Sequence, residues 1–199
     1  SSNAGRGYVT YHDDTGEFSL TPEQAAVFAR ESEPTCIQGL VQGVVGQFVK
    51  EDVAVDVFKT GRGRPWGEHH ECCFCGTERF FRPAYAGHLL DEWIPAMDGV
   101  ADKLTAGAKV ADIGCGLGTS SMLMAEQYPN STIHAYDFHE PSIKEAKRRA
   151  KEKGLTNLEF YVSDAGSIPQ ESYDLACIFD AWHDMGDPVG IAKAIKDTL

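Results

Sequence analysis

An aspartate and three glycines at regular spacing form the most chemically suggestive stretch of this chain. They alternate with other residues at two-residue intervals: Asp112, Gly114, Gly116 and Gly118. A short apolar run that leads into the aspartate predicts a buried strand, and the apolar spacing of residues 120–128 predicts a helix. Glycine has no Cβ, so the backbone can approach a ligand closely, and the free N–H groups of the helix start face that ligand. This arrangement predicts a turn that binds a nucleotide-like cofactor.

The spacing of the glycines indicates which cofactor to expect. A dinucleotide-binding turn follows the pattern G-x-G-x-x-G, whose third glycine would fall at position 119. That position is Thr119, and the third glycine comes one residue earlier. An NAD-binding oxidoreductase is therefore an alternative that Thr119 argues against.

Strands and helices alternate after this turn. Predicted strands cover 110–113, 132–136, 158–162 and 173–179, with helices at 120–128, 141–153 and 187–199. Such alternation is typical of an α/β fold with a doubly wound parallel sheet, which binds ligands at the carboxyl ends of its strands. The last three strands end at aspartates: Asp137, Asp164 and Asp180.

Two of these acids are placed to bind an adenosine. A carboxylate at Asp137 can accept hydrogen bonds from both ribose hydroxyls, and Phe138 beside it can pack on the adenine face. Asp164 can accept from the adenine amino group, while the Ala165 N–H is available to a ring nitrogen. Each acid on its own is also typical of a helix cap or a turn.

Residues 105–199 resemble the first half of a class I S-adenosylmethionine-dependent methyltransferase domain, with a Rossmann-like sheet. The motifs that carry the resemblance are D-x-G-x-G-x-G at 112–118, Asp137, Asp164 and the segment 179–188. The resemblance implies S-adenosylmethionine as cofactor and S-adenosylhomocysteine as product. It places Asp112 and the glycine turn, including Cys115, near the methionine moiety, Asp137 on ribose and Asp164 on adenine. Asp180 and Ala181 would then line the methyl-transfer end.

The implied reaction is direct displacement at the sulfonium methyl, in which the protein aligns donor and acceptor and excludes water. If the acceptor needs a base, His183 is the candidate and Asp184 its orienting partner. The alternative is that His183 caps the next helix or bonds to a loop. Trp182 and Trp66 are expected on the substrate side, although Trp66 is equally typical of a residue that fills a gap between domains.

The first domain, residues 5–104, follows four residues, 1–4, that look like the remnant of an expression tag. A hairpin is predicted at 7–20, and Thr21-Pro22 marks a helix start with a capping box. The segment 35–58 is predicted as one helix, buried or dimer-forming, whose glycines need another helix packed closely. A further helix is predicted at 80–104, divided at Pro95.

Together with Phe-Phe-Arg-Pro at 80–83, the segment 179–188 resembles a bacterial group of methyltransferases that carries an N-terminal winged-helix and dimerisation region. The hairpin would be the wing of a partial winged helix, and a homodimer is expected. The family's sheet continues for three more strands, so we expect this chain to be truncated at both ends. A cofactor-sensing transcriptional regulator without turnover is an alternative.

The composition indicates which kinds of binding partner to expect. The net charge is −12, and the only dense basic run, 144–153, is interleaved with acids, so nucleic acid is an unlikely substrate and a small-molecule acceptor is expected. No apolar stretch is long enough to cross a membrane.

The six cysteines are too sparse for a disulfide-stabilised scaffold, which favours a cytoplasmic protein. Among them, Cys72 and Cys75 follow His69 and His70 as half of a metal site, but no second half follows, so no metal is expected.

Overall fold

The computed structural model describes residues 2–169 and 172–199, so the first residue of the presumed tag remnant lies outside the described part. The chain divides into two compact units. The N-terminal unit comprises residues up to 64 and residues 69–83. The α/β unit comprises residues 65–68 and the chain from residue 84 onward.

The N-terminal unit begins with a short helix, α1 (Ser2–Gly5), and an antiparallel hairpin of β1 (Thr10–His12) and β2 (Glu17–Ser19). The predicted hairpin is therefore confirmed. Helix α2 (Pro22–Phe28) begins at the predicted capping box. The Thr21 Oγ accepts from the Gln24 N–H at 3.2 Å, and the Gln24 side chain accepts from the Thr21 N–H at 2.9 Å.

Two helices occupy the segment predicted as one. Helix α3 (Gln38–Val49) ends where Lys50 leaves helical geometry, with φ −115° and ψ 30°, and α4 (Glu51–Thr60) follows at once. Glu51 and Asp52 favour a new helix start here, because carboxylates near a helix N-terminus interact well with its dipole. Helix α5 (Glu71–Ala84) also begins nine residues before the predicted start.

Helix α3 packs on α5 through glycines, as its sequence required. A Cβ added at Gly39 would lie 2.4 Å from the backbone N of Phe80, and one at Gly46 would lie 2.8 Å from that of Cys73. The opposite face of α3 is apolar and exposed, so the helix is not buried in the single chain as one interpretation had it. We call this surface the α3 apolar face; it consists of Leu40, Val41, Val44, Val45, Phe48 and Val49.

An arginine cluster also ties α3 to α5. The Arg79 guanidinium donates to Glu31 Oε1 at 2.5 Å and to the side-chain oxygens of Gln38 and Gln42. Arg82 donates to the other Glu31 oxygen at 2.7 Å. Hydrogen bonding from Arg79 lowers the pKa of the Glu31 carboxyl.

The α/β unit contains a four-stranded, fully parallel sheet in the order β5-β4-β3-β6. Its strands are β3 (Lys109–Ile113), β4 (Thr132–Asp137), β5 (Leu158–Val162) and β6 (Leu175–Cys177). Its helices are α6 (Val100–Ala106), α7 (Thr119–Gln127), α8 (Glu140–Glu152) and α9 (Pro188–Lys196). The predicted Rossmann-like α/β fold, preceded by a helical region with a short hairpin, is confirmed. The strand order reverses between β3 and β6, where such sheets bind ligands.

The sheet is covered on both faces. Alternate residues of β3 enter different cores: Val110 packs with Ile133 and Phe160, whereas Ile113 packs with Tyr136 on the other face. Period-two alternation of side chains explains this division. Burial on both faces accounts for the nearly continuous apolar character of β3 and β4.

A π-helix (Tyr85–Trp93) follows α5 where an ordinary helix was predicted. It packs on α7, and its Leu89 is fully buried in the core. A turn at 94–99 then leads into α6, which begins after Gly99 at φ +74°. The predicted division near Pro95 is confirmed, but the change of helix type was not foreseen. No helix in the described residues has the length and apolarity that membrane crossing requires.

Candidate functional site

The glycine turn is bonded to the end of strand β4. Gly114 and Cys115 both donate their N–H groups to the Tyr136 carbonyl, at 2.8 and 3.0 Å. The Gly116 N–H donates to Asp137 Oδ2 at 2.8 Å. The turn that follows β3 is therefore held beside the predicted ribose-binding aspartate.

Each of the three glycines has a positive φ, between 53° and 77°, but their surroundings differ. A Cβ at Gly114 would lie 2.5 Å from the Ala181 Cβ, and one at Gly118 would lie 2.6 Å from the Phe160 ring. At Gly116 an added Cβ would meet no described atom within 4 Å. The outer glycines thus allow close packing, whereas the middle glycine has an open side. Cys115 is buried, and burial raises the pKa of its thiol well above the ordinary value.

Asp112 has no exposed surface. Its Oδ2 accepts from the Ser120 hydroxyl at 2.7 Å and from the Ser121 hydroxyl at 2.6 Å. Its Oδ1 is buried and has no hydrogen-bond partner within the described residues. Burial raises the pKa of this carboxyl, and the charge of Asp137 adds to the effect. The two serines were missed at the sequence level, although hydroxyls at a helix start directly after the glycine turn were a usable signal.

Asp137 is nearly buried, and both of its oxygens accept a backbone hydrogen bond. Besides the bond from Gly116, its Oδ1 accepts from the His139 N–H at 2.8 Å. A carboxylate oxygen has lone pairs for a second donor, so these bonds leave capacity for a ligand. Phe138, which lies between Asp137 and His139 in the chain, exposes 53% of its surface.

Asp164 stabilises its own turn in the structure. Its Oδ1 accepts from the Gly166 N–H at 2.8 Å and its Oδ2 from the Ser167 hydroxyl at 2.9 Å, with Ala165 inside the turn. The Ser163 N–H donates to the Asp137 carbonyl at 3.0 Å, which brings the ends of β4 and β5 together.

The segment after β6 is strained and exposed. Asp180 has φ +53°, the one positive φ outside glycine in the described residues. His183 Nδ1 lies 3.6 Å from Asp180 Oδ1, and its Nε2 lies 3.6 Å from Asp184 Oδ1. Both distances exceed hydrogen-bonding range. The side chains of Trp182 and His183 are largely exposed, so the proposed base lies in an open environment.

The cap of helix α9 is Asp187, not His183. Its Oδ1 accepts from the Gly190 N–H at 2.9 Å. The interpretation of His183 as a helix cap is therefore not what the structure shows.

Tyr85 is a site residue that the sequence did not single out. The ring of Tyr85 lies 5.4 Å from that of Phe179 and 6.1 Å from that of Trp93, while Trp93 and Phe179 are stacked at 6.3 Å. Burial and the charges of Asp112 and Asp180 raise the pKa of its phenol. In the sequence, Tyr85 and Trp93 only marked the apolar side of a helix, which is also what core residues do.

Trp66 begins a short 3-10 turn, Trp66–Glu68, that belongs to the α/β unit. A Cβ at Gly67 would lie 3.6 Å from the His139 ring, so the turn lies beside the end of β4. No group of three or more His, Cys, Asp or Glu residues in the described part of the chain could hold a metal ion.

The parallel sheet, its order reversal at β3 and the glycine turn at that point define a Rossmann-like α/β fold of the kind found in methyltransferase structures. Residues 104–199 match the family model described as "Methyltransferase domain". This segment is thus similar in sequence to methyltransferase domains and shares their fold.

Relatives with different named substrates are similar to part of this chain. Aklanonic acid methyltransferase DauC of Streptomyces sp. (strain C5) is 38% identical over 96 residues, 47% of this chain and 44% of the relative. The tRNA (guanine-N(7)-)-methyltransferase of Hydrogenovibrio crunogenus is 32% identical over 81 residues, 37% of this chain and 34% of the relative. The similarity thus spans less than half of either relative.

Among solved structures, coclaurine N-methyltransferase bound to N-methylheliamine and S-adenosylhomocysteine shares the fold. It superposes with a TM-score of 0.51 at 20% identity, over 58% of this chain and 32% of that one.

Proposed function

We propose that the α/β unit binds S-adenosylmethionine and that the protein transfers its methyl group to a small molecule. The observation that carries the proposal is Asp112: a fully buried carboxylate with one unpartnered oxygen, directly before a glycine turn that is open at Gly116. A buried charge without a partner is costly and calls for a functional explanation. A cationic ligand group in the turn would supply one.

The other residues of the site fit the remaining parts of this cofactor. Asp137 keeps lone pairs for ribose hydroxyls, and the exposed Phe138 ring can cover an adenine. Asp164 and Ala165 lie at the end of the neighbouring strand, where the adenine edge would fall. Asp180 and Ala181 adjoin Gly114 and would line the methyl-transfer end.

When bound, the cofactor supplies an electrophilic methyl group on a sulfonium centre. The chain therefore has to orient the acceptor and keep water out. Ala181 brings the segment after β6 against the glycine turn, and Trp182 offers an exposed apolar surface next to it in the chain. If the acceptor needs a base, we propose His183 for that role; Asp180 and Asp184 each lie 3.6 Å from its ring nitrogens.

A small molecule is a better acceptor than RNA for this chain, although one relative is named for tRNA. The four segments at the strand ends, 112–120, 137–142, 163–169 and 178–187, contain no Lys or Arg. With a net charge of −12, the site would repel a phosphate backbone.

We also propose that the α3 apolar face packs against a second copy of the chain. Its six side chains expose on the order of 600 Å² of apolar surface, the upper end of what a monomer usually shows. Helix α3 carries no charged residue at 38–49, so a two-fold pairing of this face opposes no like charges.

Calorimetric titration with S-adenosylhomocysteine, and separately with NAD, tests the cofactor proposal. We expect S-adenosylhomocysteine to bind the wild type with micromolar affinity and NAD not to bind. Asp137→Ala should weaken S-adenosylhomocysteine binding by about 10- to 100-fold, because hydrogen bonds to a charged group are worth roughly 1.5–3 kcal/mol.

Asp137→Asn, which keeps one acceptor oxygen, should lose less affinity, and Asp14→Ala in the hairpin turn should lose none. NAD binding without S-adenosylhomocysteine binding would contradict the proposal. If the wild type and Asp137→Ala bound S-adenosylhomocysteine with equal affinity, the proposed contact between Asp137 and the ribose would be wrong.

A further inference from the structure

An aromatic surface adjoins the proposed methyl-transfer end. Phe179 follows β6 and contacts Tyr85 and Trp93 of the π-helix, and Trp93 also stacks on His88 at 6.2 Å. We call these residues, Tyr85, His88, Trp93 and Phe179, the aromatic cluster. None of them is needed to explain cofactor binding.

Position connects this cluster to the glycine turn. Ala181 follows Phe179 by two residues. A Cβ added at Gly114 would lie 2.5 Å from the Ala181 Cβ, so these two residues are in close contact. Tyr85 lies close enough to Asp112 and Asp180 for both charges to act on its phenol. The cluster therefore lies at the carboxyl ends of β3 and β6, next to the place proposed for the transferred methyl.

Two backbone irregularities meet at the same point. Three of the four cluster residues, Tyr85, His88 and Trp93, lie on a π-helix, a geometry found frequently at functional sites. The fourth, Phe179, directly precedes Asp180, whose positive φ is unfavourable for a non-glycine residue. Strain of this kind collects at sites where it positions a side chain.

The shape of the cluster suits a flat ligand. The Trp93 and Phe179 rings are inclined by only 28°, and Trp93 keeps 40% of its surface exposed. A planar molecule laid against the exposed part of the indole would extend the set of near-parallel rings that His88 and Phe179 already form with Trp93.

The charge around the cluster excludes one class of ligand. The π-helix Tyr85–Trp93 contains Asp91 and Glu92 but no Lys or Arg, and the strand-end segments beside it contain no basic residue either. Asp112 and Asp180 add negative charge. A carboxylate or phosphate on the acceptor would be repelled by these charges, and neither the π-helix nor the strand-end segments offer it a Lys or Arg.

From these observations we propose that the aromatic cluster is the acceptor subsite and takes a planar aromatic molecule that carries no negative charge. This inference rests on the proposed methyltransferase function and names its substrate class. Trp93 and Phe179 provide the stacking surface, and Asp180 provides the discrimination against anions.

Three indole probes that differ in charge test the proposal without knowledge of the natural acceptor: tryptamine, 3-methylindole and indole-3-acetate. Their binding is measured by calorimetry on the full chain saturated with S-adenosylhomocysteine. We expect tryptamine and 3-methylindole to bind and indole-3-acetate to bind at least tenfold more weakly. Asp180→Asn should reduce that discrimination at least threefold.

Trp93→Ala should weaken tryptamine and 3-methylindole binding about tenfold and change S-adenosylhomocysteine affinity less than threefold, which also shows that the variant is folded. Trp93→Phe, which keeps a flat ring, should restore most of the loss. Phe138→Ala is the matched control: it should weaken S-adenosylhomocysteine and leave the order of the three probes unchanged.

The outcomes separate the two proposals. Failure of S-adenosylhomocysteine to bind contradicts the proposed function and this inference with it. Normal S-adenosylhomocysteine binding overturns the acceptor subsite alone if no indole binds, if the three bind equally, or if Trp93→Ala binds them as the wild type does.

Discussion

Asp112 is held at a cost to the folded state. It is fully buried, and two serine hydroxyls satisfy only one of its oxygens. Burial raises its pKa in the folded chain above that in the unfolded chain. Its contribution to stability is therefore fullest below the unfolded pKa and is lost as the pH rises through the folded pKa.

Replacing Asp112 by Asn removes the charge and keeps an oxygen for the two serines. We expect Asp112→Asn to raise the free energy of unfolding at pH 8 by about 1–2 kcal/mol, the usual penalty of an unsatisfied buried group. The gain should shrink as the pH falls through the raised pKa. Urea unfolding followed across pH measures it.

Asp98→Asn, at an exposed position of the 94–99 turn, is the control and should leave the pH profile unchanged. The same Asp112→Asn variant should bind S-adenosylhomocysteine more weakly than the wild type. A variant that is less stable than wild type at every pH would contradict the cost assigned to this carboxylate.

At the scale of elements, the α3–α5 contact makes opposite predictions for two glycines of one helix. A methyl group at Gly39 would meet the α5 backbone at 2.4 Å, whereas one at Gly43 would meet no described atom within 4 Å. Gly39→Ala should therefore cost about 1–3 kcal/mol by overpacking. Gly43→Ala should gain about 0.5–1 kcal/mol, because alanine is the better helix former.

Thermal unfolding followed by circular dichroism compares the two variants under identical conditions. Shifts of the same sign would show that helix propensity, not the close approach of α5, governs these positions.

Local signals in the sequence were sufficient for the sheet and for capped helices. Short apolar runs placed β3, β4 and β5 to within a residue, and the Thr21 capping box placed the start of α2. Strand β6 (Leu175–Cys177) is shorter than the predicted strand at 173–179. The break at Lys50, the early start of α5 and the π-helix were not predicted. These three features depend on which helices pack together. A helix face lined by glycines or aromatic residues has the same local sequence pattern whichever helix it packs against.

The residues of the candidate site also fall into those that the sequence could place and those that it could not. Asp112, the three glycines and Asp137 could be placed from their spacing alone, and the hydrogen bond from Gly116 to Asp137 brings them together. Tyr85 and Trp93 could not, since their meeting with Phe179 spans most of the α/β unit along the chain.

At the scale of the whole molecule, the α3 apolar face predicts self-association. We expect light scattering after size exclusion to give the mass of a dimer for the wild type. Phe48 exposes 72% of its surface, the largest exposed fraction on this face, so Phe48→Glu should place two buried carboxylates in the interface and yield monomers.

Phe18→Glu changes another exposed phenylalanine, in the hairpin strand β2; it is the matched control and should remain dimeric. A monomeric wild type, or a Phe48→Glu variant that stays dimeric, would contradict the proposal that a second copy of the chain packs against this face.

The left-handed backbone at Asp180 bears on how this chain can have evolved. Glycine adopts that conformation without penalty, and a single mutation of an aspartate codon yields glycine. A single substitution at Asp180 could thus relieve the backbone strain, and the carboxylate is the group that this change would remove.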